Sequence, residues 1–340
     1  MRVVDRFDRF QRRRRWVALP IAVAYKFFDD QGSYLAALVA YYGLVSLFPL
    51  LLLLSSLLGF ALQGNPHLQL EILTSTVSQF PVIGAQLRST GLRGSGIGVL
   101  VGVLGSAYGA LGVAQAVQNL MNVAWAVPRN RRPNPILARA RSLLLLATAG
   151  AAVIATTVLS ALGSAAESFG ATSLGMGVKA ILILVSVVVN AGVFLLAFRI
   201  ATARSVSWRR SAPGALTAAV AWQIMQVFGA LLVGHVLKNA TAVNAVFGLV
   251  LGLLAWLYAT AVTITLSVEL NVVLAKRLWP RALLTPFTDD VNLTPGDRRS
   301  YTDAAKAQRA KGFETVDVSF HNDGQNANPT TAPRPEPPAS

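Results

Sequence analysis

Residues 34–62 read YLAALVAYYGLVSLFPLLLLLSSLLGFAL, without one charged side chain. A helix of that length crosses a hydrocarbon core of about 30 Å. Its apolar residues cover every face, which suits lipid and leaves no side for water. Further apolar stretches run at 96–125, 142–165, 178–198, 213–237 and 244–275. Together they predict an all-α membrane protein with six transmembrane helices. Composition agrees: 54% of the 340 residues are hydrophobic, 13% are charged, and mean hydropathy is +0.52. Soluble domains carry roughly 25% charged residues, so a soluble enzyme is excluded.

Charge placement sets the expected organisation. Residues 1–33 form a basic N-terminal segment in which Arg12-Arg13-Arg14-Arg15 precedes an interfacial helix over Trp16–Phe28. Asp29-Asp30-Gln31-Gly32-Ser33 then interrupts it and offers acids to the positive start of the next helix. The stretch lacks the pattern of a cleavable signal peptide. Residues 34–275 form the transmembrane domain. Residues 276–340 are read as a largely disordered tail, because eight of the sixteen prolines fall in 280–340 among Asn, Thr and Asp. Between the first two spans lies a loop over 63–95, where Leu68–Phe80 has the pattern of a surface-lying helix.

Twenty-six of the thirty Lys and Arg residues fall in 1–33, 126–141, 199–212 and after 275. The other four, Arg88, Arg93, Lys179 and Lys238, fall in the alternate connections. That asymmetry predicts both termini in the cytoplasm. It also explains the net charge of +15 through topology and anionic headgroups, with no nucleic acid partner.

Within the spans, several patterns invite a role. Pro49 removes a backbone donor mid-helix and predicts a kink or break, as a hinge or as packing. Gly98, Gly102, Gly105, Gly109 and Gly112 share one face of the second span and predict a close helix crossing. Gln115, Gln118, Asn119 and Asn122 recur at helical spacing near the cytoplasmic exit of that span. They suit either an interfacial exit or a polar vestibule for a headgroup. His235, Lys238, Asn239 and Asn244 make an outer polar patch. Asn190, Gln223, Gln226 and Tyr258 lie deeper, as interhelical contacts or as the lining of a substrate path. Glu269 is the one acid in the apolar spans, near the cytoplasmic face, as a functional group or as a structural partner of Arg141 or Arg199.

Other chemistries find no footing. There is no cysteine, the three histidines are far apart, and no phosphate-binding glycine loop with Lys and Ser/Thr occurs. No ionisable residue is predicted in the middle third of any span, which disfavours coupled ion antiport. No catalytic, cofactor-binding or metal-ligating set is assigned.

Three stretches carry a resemblance. Leu35–Tyr42 running to Ser46-Leu47-Phe48-Pro49, Arg210–Ala215, and Ala245–Gly248 through Trp256–Tyr258 to Val268–Asn271 resemble the YihY/BrkB family, with arginine-rich ends similar to its YhjD-like members. The positions that match are Tyr41, Tyr42, Pro49, Pro213, Gly214, Gly248, Glu269 and Asn271. The sequence departs from the family at Val246-Phe247, where relatives more often carry a tyrosine and a small residue. The resemblance implies a multi-pass protein of the bacterial inner membrane, linked to envelope integrity and to lipid or lipopolysaccharide export. It also implies the old label ribonuclease BN, which the residues oppose, since no His and Asp cluster for a nuclease metal is present.

The function expected is translocation or export of a lipid or other amphiphilic envelope molecule. The alternative is a non-transporting scaffold whose tail holds envelope-assembly partners. Membrane lipids are the expected partners, with a second copy of the chain or envelope proteins beside them.

Overall fold

The computed structural model describes residues 2–61, 95–168, 176–239, 242–285, 287–288 and 291–320. Side chains are described outside 2–6, 58, 61, 155–168, 176–180, 182, 227–239, 242–247 and 249. Among the described residues all regular structure is helical. Helix α1 (Arg2–Arg13) and α2 (Arg15–Asp29) precede six long helices: α3 (Gly32–Ala61), α4 (Gly96–Ala124), α5 (Pro135–Ser168), α6 (Met176–Ala201), α7 (Trp208–Asn239) and α8 (Ala242–Lys276). A short helix α9 (Pro295–Ala307) follows. The loop expected at 63–95, with its surface-lying Leu68–Phe80, lies outside the described residues but for Ser95.

Local chemistry fixes most boundaries. Gln31 takes a left-handed φ of 55° between α2 and α3. Ser95 caps α4 by accepting from the Gly98 amide at 3.1 Å. Asn134 accepts from the Leu137 amide at 2.8 Å, and Pro135 opens α5, where its missing N–H costs nothing. Helix α5 therefore starts seven residues before the apolar run at 142 that was expected to define it. Helix α8 stops at Arg277, also left-handed.

The six long helices close into a ring. Each packs on its neighbour in sequence from α3 to α8, and α8 returns to α3, while α4 also meets α6 and α8. Five stretches are long and apolar enough to cross a membrane: Gly32–Leu57, Gly96–Ala124, Pro135–Ile154, Ile183–Ala201 and Val250–Lys276. Helix α7, expected as a sixth span, is not among them on its described residues. The outward faces are apolar, with Leu54, Leu104, Val153, Ile154, Leu184 and Leu251 all exposed.

Among the described side chains, the best buried gather at one end instead of filling the ring. Leu120, Met121, Ala124 and Trp125 of α4 and its cap meet Phe198 and Ala201 of α6, Ala215 and Ala218 of α7, and Val268, Val272 and Val273 of α8. The basic segments meet at the same end. The Asn122 carboxamide accepts from the Ala203 amide at 2.9 Å, Lys276 donates to the Trp125 carbonyl at 2.9 Å, and the Asn130 amide donates to the Arg309 carbonyl at 3.2 Å.

Candidate functional site

The four carboxamides near the end of α4 lie on one cleft but divide by role. Gln118 is buried and donates to the Ala138 carbonyl at 3.1 Å and to the Ser142 hydroxyl at 2.8 Å, tying α4 to α5. Asn122 is buried and ties α4 to the connection after α6. Asn119 is half-buried and accepts from Arg132 at 3.3 Å, while Gln115 is exposed.

These four line a cleft of about 290 Å³ together with Arg132, Pro133, Pro135, Ala138 and Arg139. Sequence spacing found the α4 half of the cleft only. The two arginines come from across a turn and from the early start of α5, and no local pattern joins them to the carboxamides. Burial lowers the Arg132 pKa, and neighbouring Arg129 adds to the effect. Arg139 is exposed on α5. The cleft thus presents two guanidinium groups and uncharged amides to whatever enters, and no acid lines it.

The deeper polar residues are not assembled into a line. Asn190 is buried and bonds to Ser186 of its own helix at 3.4 Å, and among the described residues no bond from it reaches another helix. Gln223 has a buried Oε1 without a hydrogen-bond partner among the described residues. Gln226 and Tyr258 are exposed. Between them, the α7–α8 contact is made by Trp222 and Trp256, with ring centroids 6.2 Å apart, and the Trp256 indole donates to the Met225 carbonyl at 3.3 Å. For the outer patch, His235, Lys238 and Asn239 lie in α7 and Asn244 in α8, and their side chains fall outside the described residues.

The glycine face of α4 lies along α3. A Cβ at Gly98, Gly102, Gly105, Gly109 or Gly112 would run into Ser56, Leu53, Pro49, Ser46 or Tyr42 respectively. Helix α3 stays continuous through Pro49, whose ring fills the space opposite Gly105, so no break occurs there. Tyr42 also faces Tyr108 of α4, with centroids 6.4 Å apart, whereas Tyr41 is exposed. Gly248 lies half-buried in α8.

The remaining matching positions read one another across the bundle. Asn271 of α8 accepts from the Gly214 amide at 2.7 Å and donates to the Ser211 carbonyl at 3.1 Å. Pro213 sits between these two groups, where a proline disturbs the helical bonding of its turn. Gly214 allows the approach, since a Cβ would overlap the Ser267 carbonyl oxygen.

Glu269 is fully buried, and neither arginine expected beside it is its partner. Arg199 stacks over the Trp208 ring at 3.8 Å, and Arg141 keeps a buried nitrogen without a hydrogen-bond partner among the described residues. The cation near Glu269 is Lys26 of α2, at 3.8 Å, and Lys26 also pairs with Asp30. Burial pulls the Lys26 pKa down, but the Glu269 and Asp30 carboxylates more than offset it, so it ends raised.

Asp29 pairs elsewhere. Arg281, fully buried after α8, meets Asp29 at 2.9 Å and Asp297 at 2.5 Å, between the rings of Tyr25 and Tyr301. Asp297 also accepts from the Ala282 and Thr294 amides, while Gln11 of α1 donates to the Arg281 carbonyl. The chain after Lys276 was expected to be largely disordered. Over 278–285 and 291–307 it is built around this arginine instead, and 321–340 lie outside the described residues.

The chain matches the family described as virulence factor BrkB over residues 23–286. It is 26% identical over 254 residues to the putative ribonuclease-like protein YfkH of Bacillus subtilis (strain 168), covering 73% of this chain and 91% of that protein. No solved structure gives a significant match.

Proposed function

The chain belongs to the virulence factor BrkB family, and on that premise we propose that it is an inner-membrane protein that moves an amphiphilic envelope lipid between leaflets. The observation behind this reading is the cleft at the α4–α5 junction. It lies where one apolar stretch ends at Ala124 and the next begins at Pro135, which in this reading is the depth of a headgroup. Two arginines suit an anionic group, and amides suit its hydroxyl or ester oxygens. The lowered Arg132 pKa marks a guanidinium whose charge burial disfavours, and a bound anion would offset that cost.

In this proposal all six long helices cross the bilayer and both termini face the cytoplasm. The clustering of the basic segments at one end supports that orientation through the positive-inside rule. The ring of helices would then flank the route of the lipid, with its tails running along the exposed apolar faces.

The word ribonuclease belongs to the Bacillus protein's name. Among the described residues of this chain no three His, Asp or Glu side chains group to hold a metal ion, and the proposal is not an enzymatic one. A scaffold would need the tail for its partners, yet the described tail helix is engaged with the bundle through Arg281.

Purified protein in vesicles carrying a fluorescent anionic phospholipid tests the reading. A membrane-impermeant quencher should bleach more than the outer-leaflet half of the label when the protein is present. Bleaching that stops at half across anionic, zwitterionic and glycosylated lipids would overturn it.

A further inference from the structure

We infer a second anion site, a phosphate-binding cleft closed by the tail helix α9. It is formed by Arg204 from the connection after α6, Lys276 from the end of α8, and Arg298, Arg299, Thr302 and Asp303 of α9, around a space of about 470 Å³. Leaving Arg298 aside, the cations Arg204, Lys276 and Arg299 line it with one carboxylate, and that carboxylate is engaged, since Asp303 lies 2.9 Å from Lys276. Arg299 donates to the Arg277 carbonyl at 3.0 Å, and Arg298 reaches over the Phe320 ring at 5.8 Å. Arg204 makes no hydrogen bond or ion pair among the described residues. A site with this excess of positive charge is relieved by an anion carrying more than one negative charge. Guanidinium groups bind phosphate oxygens in pairs, and the Thr302 hydroxyl adds a donor of the same kind.

The tail is held in place for this. Asp297, at the third position of α9, is bonded to Arg281, and a Cβ at Gly296 would collide with the Pro280 carbonyl oxygen, so α9 lies tight on 278–280. Its register sets Arg298 and Arg299 opposite Arg204 and Lys276. Helix α9 lies beyond residue 286, where the family match ends. The site is therefore completed by a part of the chain outside that match.

The ligand is a phosphate-bearing group with two charges, from a headgroup such as phosphatidic acid or from a soluble phosphate compound. The cleft begins three residues past Ala201 and includes Lys276, the ends of two membrane-length stretches. The assignment to headgroup depth rests on the membrane reading above, whereas the binding itself does not.

Full-length protein in detergent should bind pyrophosphate, or short-chain phosphatidic acid, saturably and less tightly as salt rises. Arg204→Ala with Arg299→Ala should weaken binding about tenfold per guanidinium removed, with melting temperature retained. Tighter binding of phosphatidic acid than of pyrophosphate assigns the site to a headgroup, and the reverse order assigns it to a soluble ligand. No saturable binding of either probe, or equal binding by wild type and variant, overturns the inference. Arg204→Ala alone, at a side chain without a hydrogen bond or ion pair among the described residues, gives the same test if the double variant does not fold. Lipid movement between leaflets should persist in these variants, so failure here and failure of the transport reading are separate results.

Discussion

Asn271 lies among the valines of α8, and its carboxamide bonds to two backbone groups of another helix, the Gly214 N–H and the Ser211 carbonyl. Neither lipid nor the packed core can replace those bonds. Asn271→Leu removes both of these buried bonds, at about 0.5–1.5 kcal/mol each. The melting temperature in detergent should fall clearly, and an unchanged value would mean that the bridge is not made. Gly214→Ala should fall with it, since the methyl group meets the Ser267 carbonyl. The sequence showed Pro213, Gly214 and Asn271 as separate matching positions, fifty-odd residues apart. That one satisfies the backbone of another is a fact of tertiary contact, which no spacing carries. Glu269 illustrates the same limit: its depth was legible, but its neighbour Lys26 came from a segment read as an interfacial helix with no link to the bundle.

Helices were the most legible level, because uninterrupted apolar runs have few alternatives in lipid. Two elements were misread for local reasons. The start of α5 hid among Arg131, Arg132, Arg139 and Arg141, although Asn134-Pro135 is an ordinary helix start. Helix α9 hid in a proline-rich tail, although Thr294 and Asp297 form a capping box. The glycine face of α4 makes a sharp test at this scale. Gly109→Leu places a side chain into the Ser46 backbone and should prevent stable folding, whereas Gly150→Leu points into open space and should melt near wild type. Equal stability of the two variants would mean that α3 and α4 do not cross closely. Arg281→Ala tests the terminal clamp. Losing one partner of a buried pair costs about 3–5 kcal/mol, so limited proteolysis between 283 and 294 should become faster while the six long helices stay intact. Unchanged cleavage would show that α9 is held by other contacts.

At the scale of the whole molecule, the described side chains place the polar contacts of a ring of apolar helices at one end. The N-terminal helices and the tail meet there around Arg281, and two cationic clefts open at the basic connections. The function proposed depends on the α4–α5 cleft receiving a headgroup. Gln115 and Arg139 line it without a hydrogen bond to the rest of the fold among the described residues, so they can be changed without removing a support. The deciding measurement is leaflet exchange in vesicles by Gln115→Leu/Arg139→Ala beside wild type, with both melting temperatures recorded. Exchange should fall by about tenfold or more at equal melting temperature, as when a charged headgroup contact is lost. Wild-type exchange by the folded double variant would contradict entry through this cleft.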